Sequence, residues 1–144
     1  MTKKFFVAWI AMFVAWMVES FVVHAWLLGA DYAKLPGLFR SEADSQQYFG
    51  WMIVAHVLIA GAFVWIYARG VEAGKPWPQQ GMRFGLAVAL LGVIPTYLIY
   101  YAVQPMPGAL VVKQVVFDGV GVVLMGILVG WLHRSQSDSD RMRR

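Results

Sequence analysis

Residues Phe5 to Leu28 read FFVAWIAMFVAWMVESFVVHAWLL. As a helix, this run of 24 residues reaches about 36 Å, against a bilayer core of ~30 Å. Three further runs follow at 49–68, 84–103 and 109–132, with 20, 20 and 24 residues. Each is long enough to span. The chain is 60% hydrophobic and 14% charged, where soluble domains average roughly 45–50% and 25%. The reading is an all-α membrane protein, a four-transmembrane-helix up-down bundle. One domain covers 1–134, and a polar tail covers 135–144.

Lys and Arg set the orientation. Lys3, Lys4, Arg69, Lys75, Arg83, Arg134, Arg141, Arg143 and Arg144 fall on one side of the four runs. Only Lys34, Arg40 and Lys113 fall on the other. Positive charge collects on the cytoplasmic side, so both termini are expected inside. The same bias accounts for the net charge of +4 without a nucleic-acid partner, and no interleaved basic and aromatic surface is visible. Lys3 and Lys4 before an apolar run suggest a signal peptide. The run exceeds the usual ~7–15 residues and no small-x-small site follows, so an uncleaved first span is expected. With no Cys, thiolate metal sites and Cys nucleophiles are excluded.

The connections carry their own signals. Pro36 and Gly37 turn the long external loop, about 30–47, whose Leu35, Leu38 and Phe39 either rest on lipid or cap the bundle. Ser41 ahead of Glu42 and Asp44 has the pattern of an N-cap, so the second helix is expected to start in water near Glu42 and run unbroken to Ala68. Gly70, Gly74, Pro76 and Pro78 mark a cytoplasmic loop over 69–82. Pro105 and Pro107 leave room only for a tight hairpin between the last two spans. Trp9, Trp26, Trp51, Trp65, Trp77 and Trp131 fall near the two surfaces, as in an aromatic belt.

Small residues are expected to bring helices together, since lipid offers no hydrophobic drive between them. Gly81, Gly85 and Gly92 lie at helical spacing in span 3, and Gly119, Gly126 and Gly130 in span 4. Gly85, Gly92, Gly119, Gly126 and Gly130 are the expected packing positions, with a dimer interface as the other use. Pro95 should kink span 3 and free a carbonyl.

Two acids interrupt the apolar runs. Glu19 and Asp118 each lie about 13 Å below the outer end of their helix at 1.5 Å per residue, with His56 at a similar depth. His24, Lys113 and Gln114 lie shallower. Glu19, His24, His56, Gln114 and Asp118 therefore form a candidate buried polar cluster, which Thr96 and Tyr97 could join. Residues five apart on an α-helix point about 140° apart, so Glu19 and His24 are not expected to share a face. Lys113 is expected to snorkel to the interface. An ionisable group in the membrane marks a functional site by default. A polar clasp that fixes helix packing is the alternative, as interhelical polar bonds contribute about 0.6–2 kcal/mol.

Gly81 and Gly85, the mid-helix Pro95, the run Lys113 to Asp118 and the ending Gly126 to Trp131 resemble a bacterial family of small four-helix membrane proteins of unknown function. The resemblance implies a bacterial inner-membrane protein and no particular activity.

Three functions fit this sequence. The first is an accessory, assembly or self-associating membrane subunit, with the lipid bilayer, itself or other subunits as partners. The second is a proton-coupled or small-solute transporter with an outward-facing pocket around Glu19, His56 and Asp118. The third is an enzyme, for which no nucleophile elbow, phosphate loop or triad is visible. No cofactor and no metal is expected. A haem between His24 and His56 would need ligands at one depth, and Glu19, His56 and Asp118 lack a metal-spacing motif.

Overall fold

The computed structural model describes residues 3–134, so the tail at 135–144 lies outside the described residues. Four helices are long and apolar enough to cross a membrane: Lys3–Leu27, Phe49–Arg69, Trp77–Val103 and Gly108–Leu132. They are called spans 1 to 4. Span 1 is α1 (Lys3–Ser20) continued by a π-helical segment, Phe21–Leu27. A short α2 (Gly29–Tyr32) and α3 (Glu42–Gln47) belong to the long loop, and α4 (Phe49–Arg69) is span 2. Span 3 joins α5 (Trp77–Val88), a second π segment (Ala89–Val93) and α6 (Ile94–Val103), and α7 (Gly108–Leu132) is span 4.

The helix ends differ from expectation in two places. Ser41 is extended, and its hydroxyl accepts from the Asp44 N–H at 3.3 Å, as its N-cap pattern requires. The helix it starts stops at Gln47, however, and Tyr48 interrupts it (φ −102°, ψ 3°) before span 2 begins. Arg40 stacks on the Tyr48 ring at 3.7 Å and pairs with Asp44 at 2.8 Å, which holds the break. Span 3 starts at Trp77, well inside the segment read as loop. Pro76 is extended and Pro78 lies in the first turn, where a missing N–H costs nothing.

α5 and α7 form a tight antiparallel pair. A Cβ on Gly85 would lie 2.7 Å from Val123 Cα, one on Gly126 2.8 Å from Gly85 Cα, and one on Gly130 2.8 Å from the Trp77 carbonyl. Gly81 faces the Gly126 backbone in the same way. Only glycine permits this approach. Gly92 and Gly119 do not belong to the contact, because nothing lies within 4 Å of where their Cβ would be. The π segment that holds Gly92 turns it to the wall of a cavity. A glycine absent from either stripe does matter. Gly61 makes room for the Trp9 ring, whose Nε1 donates to the Val57 carbonyl at 2.8 Å. Trp9 therefore ties span 1 to span 2, and is no free lipid anchor.

Two clusters make the core. One joins Met12, Trp16, Phe63, Val64, Tyr67 and Val129. The other gathers Val23, Leu28, Met106, Leu110 and Val111 beneath the long loop. Tyr32, Leu35, Leu38 and Phe39 pack on it, so the loop caps the bundle. At the opposite end, buried Gln80 organises the span 2–3 connection. Its amide accepts from Glu72 N–H at 2.7 Å and donates to the Lys75 carbonyl at 2.8 Å.

Candidate functional site

Spans 2 and 3 stand apart toward the loop end, and a cavity of about 600 Å³ opens between them. Their other ends are joined by Phe84, tilted against Phe63 at 4.6 Å and edge-on to Tyr67 at 5.4 Å between ring centres. The cavity lining is mostly apolar. Its polar end combines Glu19 and His24 from span 1, His56 from span 2, Thr96 and Tyr97 from span 3, and Asp118 from span 4. No Lys or Arg lines it among the described residues.

Glu19 and His24 both reach this cavity because span 1 is not a uniform α-helix. The π segment bonds residue i to i+5, so its wider turn carries His24 around to the side that Glu19 occupies. The 140° separation expected of an α-helix is thereby lost. Span 3 widens in the same manner just before Pro95, with the Ile94 N–H donating to the Ala89 carbonyl. Pro95 has no N–H to offer the preceding turn, and the wider turn accommodates its ring. Leu91, Gly92, Val93, Thr96 and Tyr97 line the cavity at this point.

Asp118 is the centre of the site. It is 8% exposed. One carboxylate oxygen accepts from the Tyr97 hydroxyl. The other has no hydrogen-bond partner, and His24 Nε2 stands 3.6 Å from it. The far side of the same imidazole, Nδ1, meets the Tyr32 hydroxyl at 2.8 Å. Tyr32 accepts in turn from the Gln114 amide at 3.2 Å. The arrangement that uses each donor once has Tyr32 donating to Nδ1, which leaves the His24 proton on Nε2, facing Asp118. Burial pushes the Tyr32 phenol above its ordinary range, against the opposing pull of Gln114, so it stays a donor.

Glu19 has its own niche. Its carboxyl occupies the space that a side chain on Gly121 would need. One of its oxygens is buried without a hydrogen-bond partner, and it lies near enough to Asp118 to feel its charge. His56 lines the cavity, with Nδ1 2.7 Å from the carbonyl of Met52 one turn earlier. Gln114 is buried behind Tyr32, with one unpartnered oxygen, and lies outside the cavity lining. Among the described residues, no three His, Asp or Glu side chains are placed to hold a metal ion.

Two partners were not legible in the sequence. Tyr32 comes from the loop, and only its place beneath Phe39, at 4.7 Å between ring centres, brings it to His24. Lys113 pairs with Asp31 of the loop at 2.6 Å, and this hydrogen bond holds the Asp31 carboxyl below the usual carboxylate range. The pair fastens the start of the loop to the start of span 4, on the residue next to Tyr32.

Compared with known proteins, the chain matches no family model, no curated protein and no solved structure.

Proposed function

We propose that this chain is a multi-pass protein of a bacterial inner membrane, with both termini in the cytoplasm, that binds a small ligand and exchanges a proton within the bilayer. This is the site a proton-coupled carrier needs. The observation that carries the reading is a cavity lined by acids from the first and last spans, each with a carboxyl oxygen left without a hydrogen-bond partner. A clasp that only fixed packing would satisfy its acceptors, because an unmet buried acceptor costs roughly 1–3 kcal/mol. Twin carboxylates in a medium of low dielectric repel each other, so they call for a proton or a ligand between them. His24 supplies the route, one ring nitrogen toward Asp118 and the other toward Tyr32 and the loop. An imidazole so placed is suited to passing protons. An accessory-subunit role would use the exposed apolar helix faces, which lipid covers equally well.

The test is a lipid-soluble carbodiimide, which adds to protonated carboxyls, applied to membranes over a range of pH. Mass spectrometry should find an adduct on Glu19 or Asp118, formed more slowly as pH rises and absent from the Glu19→Gln, Asp118→Asn double variant. A folded wild-type protein with no adduct on either residue at any pH would overturn the reading.

A further inference from the structure

The chemistry of the cavity narrows its occupant, if the binding-site reading above holds. We infer that the ligand is a lipophilic cation, an amine or other onium group on an apolar body, which enters sideways from the bilayer between spans 2 and 3.

Three observations meet in this inference. First, the cavity is open rather than enclosed, and its rim is apolar surface that faces lipid. Ile59 on one side and Leu91 on the other are 45% and 83% exposed. A solute fully hydrated in water would have to shed its shell to pass there, while a membrane-dissolved molecule would not. Second, about 600 Å³ falls within the ~300–1,000 Å³ of small-molecule sites. The walls are hydrocarbon and rings, among them Trp16, Phe63, Phe84 and Tyr97. Third, the polar end carries two acids, each with an oxygen that its neighbouring donors leave unmet. Asp118, more than nine-tenths buried, lines the cavity and keeps an oxygen without a hydrogen-bond partner, and Glu19 keeps another. Among the described residues no Lys or Arg lines the cavity to neutralise them. An anion would add a third negative charge. A neutral ligand would bring the pair no charge beyond what His24, 3.6 Å from Asp118, supplies when protonated. A cation answers both carboxylates and is attracted by the ring faces as well.

Cation and proton then compete for the same carboxyls, which couples binding to proton release without a further device. His24 faces Asp118 from span 1, Tyr97 faces it from span 3, and His56 and Glu19 share the cavity. These are the groups through which pH acts on the site.

The experiment compares tetraphenylphosphonium with tetraphenylborate, ions of one shape and opposite charge. Binding to the full chain in nanodiscs is measured by equilibrium dialysis, with protein-free nanodiscs to subtract partition into lipid. The expected result is saturable binding of the phosphonium alone, tighter as pH rises. It should be at least tenfold weaker in Glu19→Gln and in Asp118→Asn. If these variants do not fold, Ala62→Trp decides, since it fills the cavity wall and leaves both acids in place; it too should block binding. Equal binding of the borate, wild-type affinity in the folded carboxamide variants, or no saturable phosphonium binding would each overturn the inference. A carbodiimide adduct without phosphonium binding would sink the ligand class and leave the protonatable cavity standing. Loss of both would sink both.

Discussion

Four glycines at helical spacing in spans 3 and 4 offer a comparison in which a single methyl group is the only variable. Gly85→Ala places a Cβ 2.7 Å from Val123 Cα and 2.9 Å from the Val122 carbonyl. Both are backbone atoms of the facing helix, so no side chain can turn aside. Reaching ordinary contact at 3.4 Å requires α5 and α7 to part locally by about 0.7 Å. Overpacking of this kind costs roughly 1–3 kcal/mol. Alanine returns at most ~1 kcal/mol through its better helix propensity. The net expectation is a loss of about 1–2 kcal/mol for Gly85→Ala, and likewise for Gly126→Ala, which meets Gly85 Cα at 2.8 Å. Gly92→Ala and Gly119→Ala meet nothing within 4 Å, so they should be neutral or gain up to ~1 kcal/mol. Reversible unfolding in mixed micelles, titrated with a denaturing detergent, measures all four on one scale. The two classes should separate by at least about 1 kcal/mol, roughly a factor of five in the unfolding constant. If Gly85→Ala were as stable as Gly92→Ala, the close contact of α5 and α7 would not exist as described.

Gly121→Ala puts a methyl group where the Glu19 carboxyl now sits; the protein should fold and lose carbodiimide labelling at Glu19, whereas retained labelling would show that Glu19 lies elsewhere. Asp31 is held below the usual carboxylate range by Lys113, so their bond persists above that range and is lost as pH falls through the lowered value. Protection of 32–39 against hydrogen exchange, taken relative to the intrinsic rate at each pH, should accordingly fall in acid, and Lys113→Ala should show the lowered protection already at neutral pH; equal protection in both proteins would remove the pair from any role in holding the loop. A reporter fused to the C-terminus should be active only in the cytoplasm, as the Lys and Arg distribution requires, and activity outside would invert the bundle.

What the sequence disclosed, and what it hid, follows from how local each cause is. Span existence depends on composition over some twenty residues, and all four runs coincide with helices long and apolar enough to cross a membrane. Ser41 acts on an N–H three residues away, so its N-cap is legible at once. Glu19 and Asp118 stand out because any acid in such a run does. Their partners do not stand out. Lys113 and Asp31 are 82 residues apart, as are Gln114 and Tyr32, and no helical period relates them. Gly61 matters only because Trp9 lies over it, a relation between two helices. Gly92 keeps the spacing of its stripe, yet spacing assumes one constant helical turn, and where the turn widens at Ala89–Val93 the stripe leaves the contact. Gly119 lies in regular α-helix, and it leaves the contact because nothing of another helix comes within 4 Å of its Cβ position.

That widening also explains how His24 came to be separated from Glu19 on paper and joined to it in space. A π segment is equivalent to one extra residue in an α-helix, and Phe21–Leu27 behaves as that insertion. If so, removing one residue from it should restore an α-helical turn and keep His24 beside the cavity, now four positions after Glu19 and on the same face. Val22, only partly buried, is the residue to delete. Deletion of Val14 provides the contrast. It lies in regular α-helix, so its loss rotates everything on one side of it by about 100° and tears Trp9 from Val57 or Glu19 from Gly121. The Val22 deletion should therefore unfold at nearly the wild-type detergent concentration and keep the pH dependence of carbodiimide labelling, while the Val14 deletion should lose both. Equal damage from the two deletions would mean that the wide turn is not a removable insertion, and the reason His24 meets Asp118 would have to be sought in the loop that carries Tyr32.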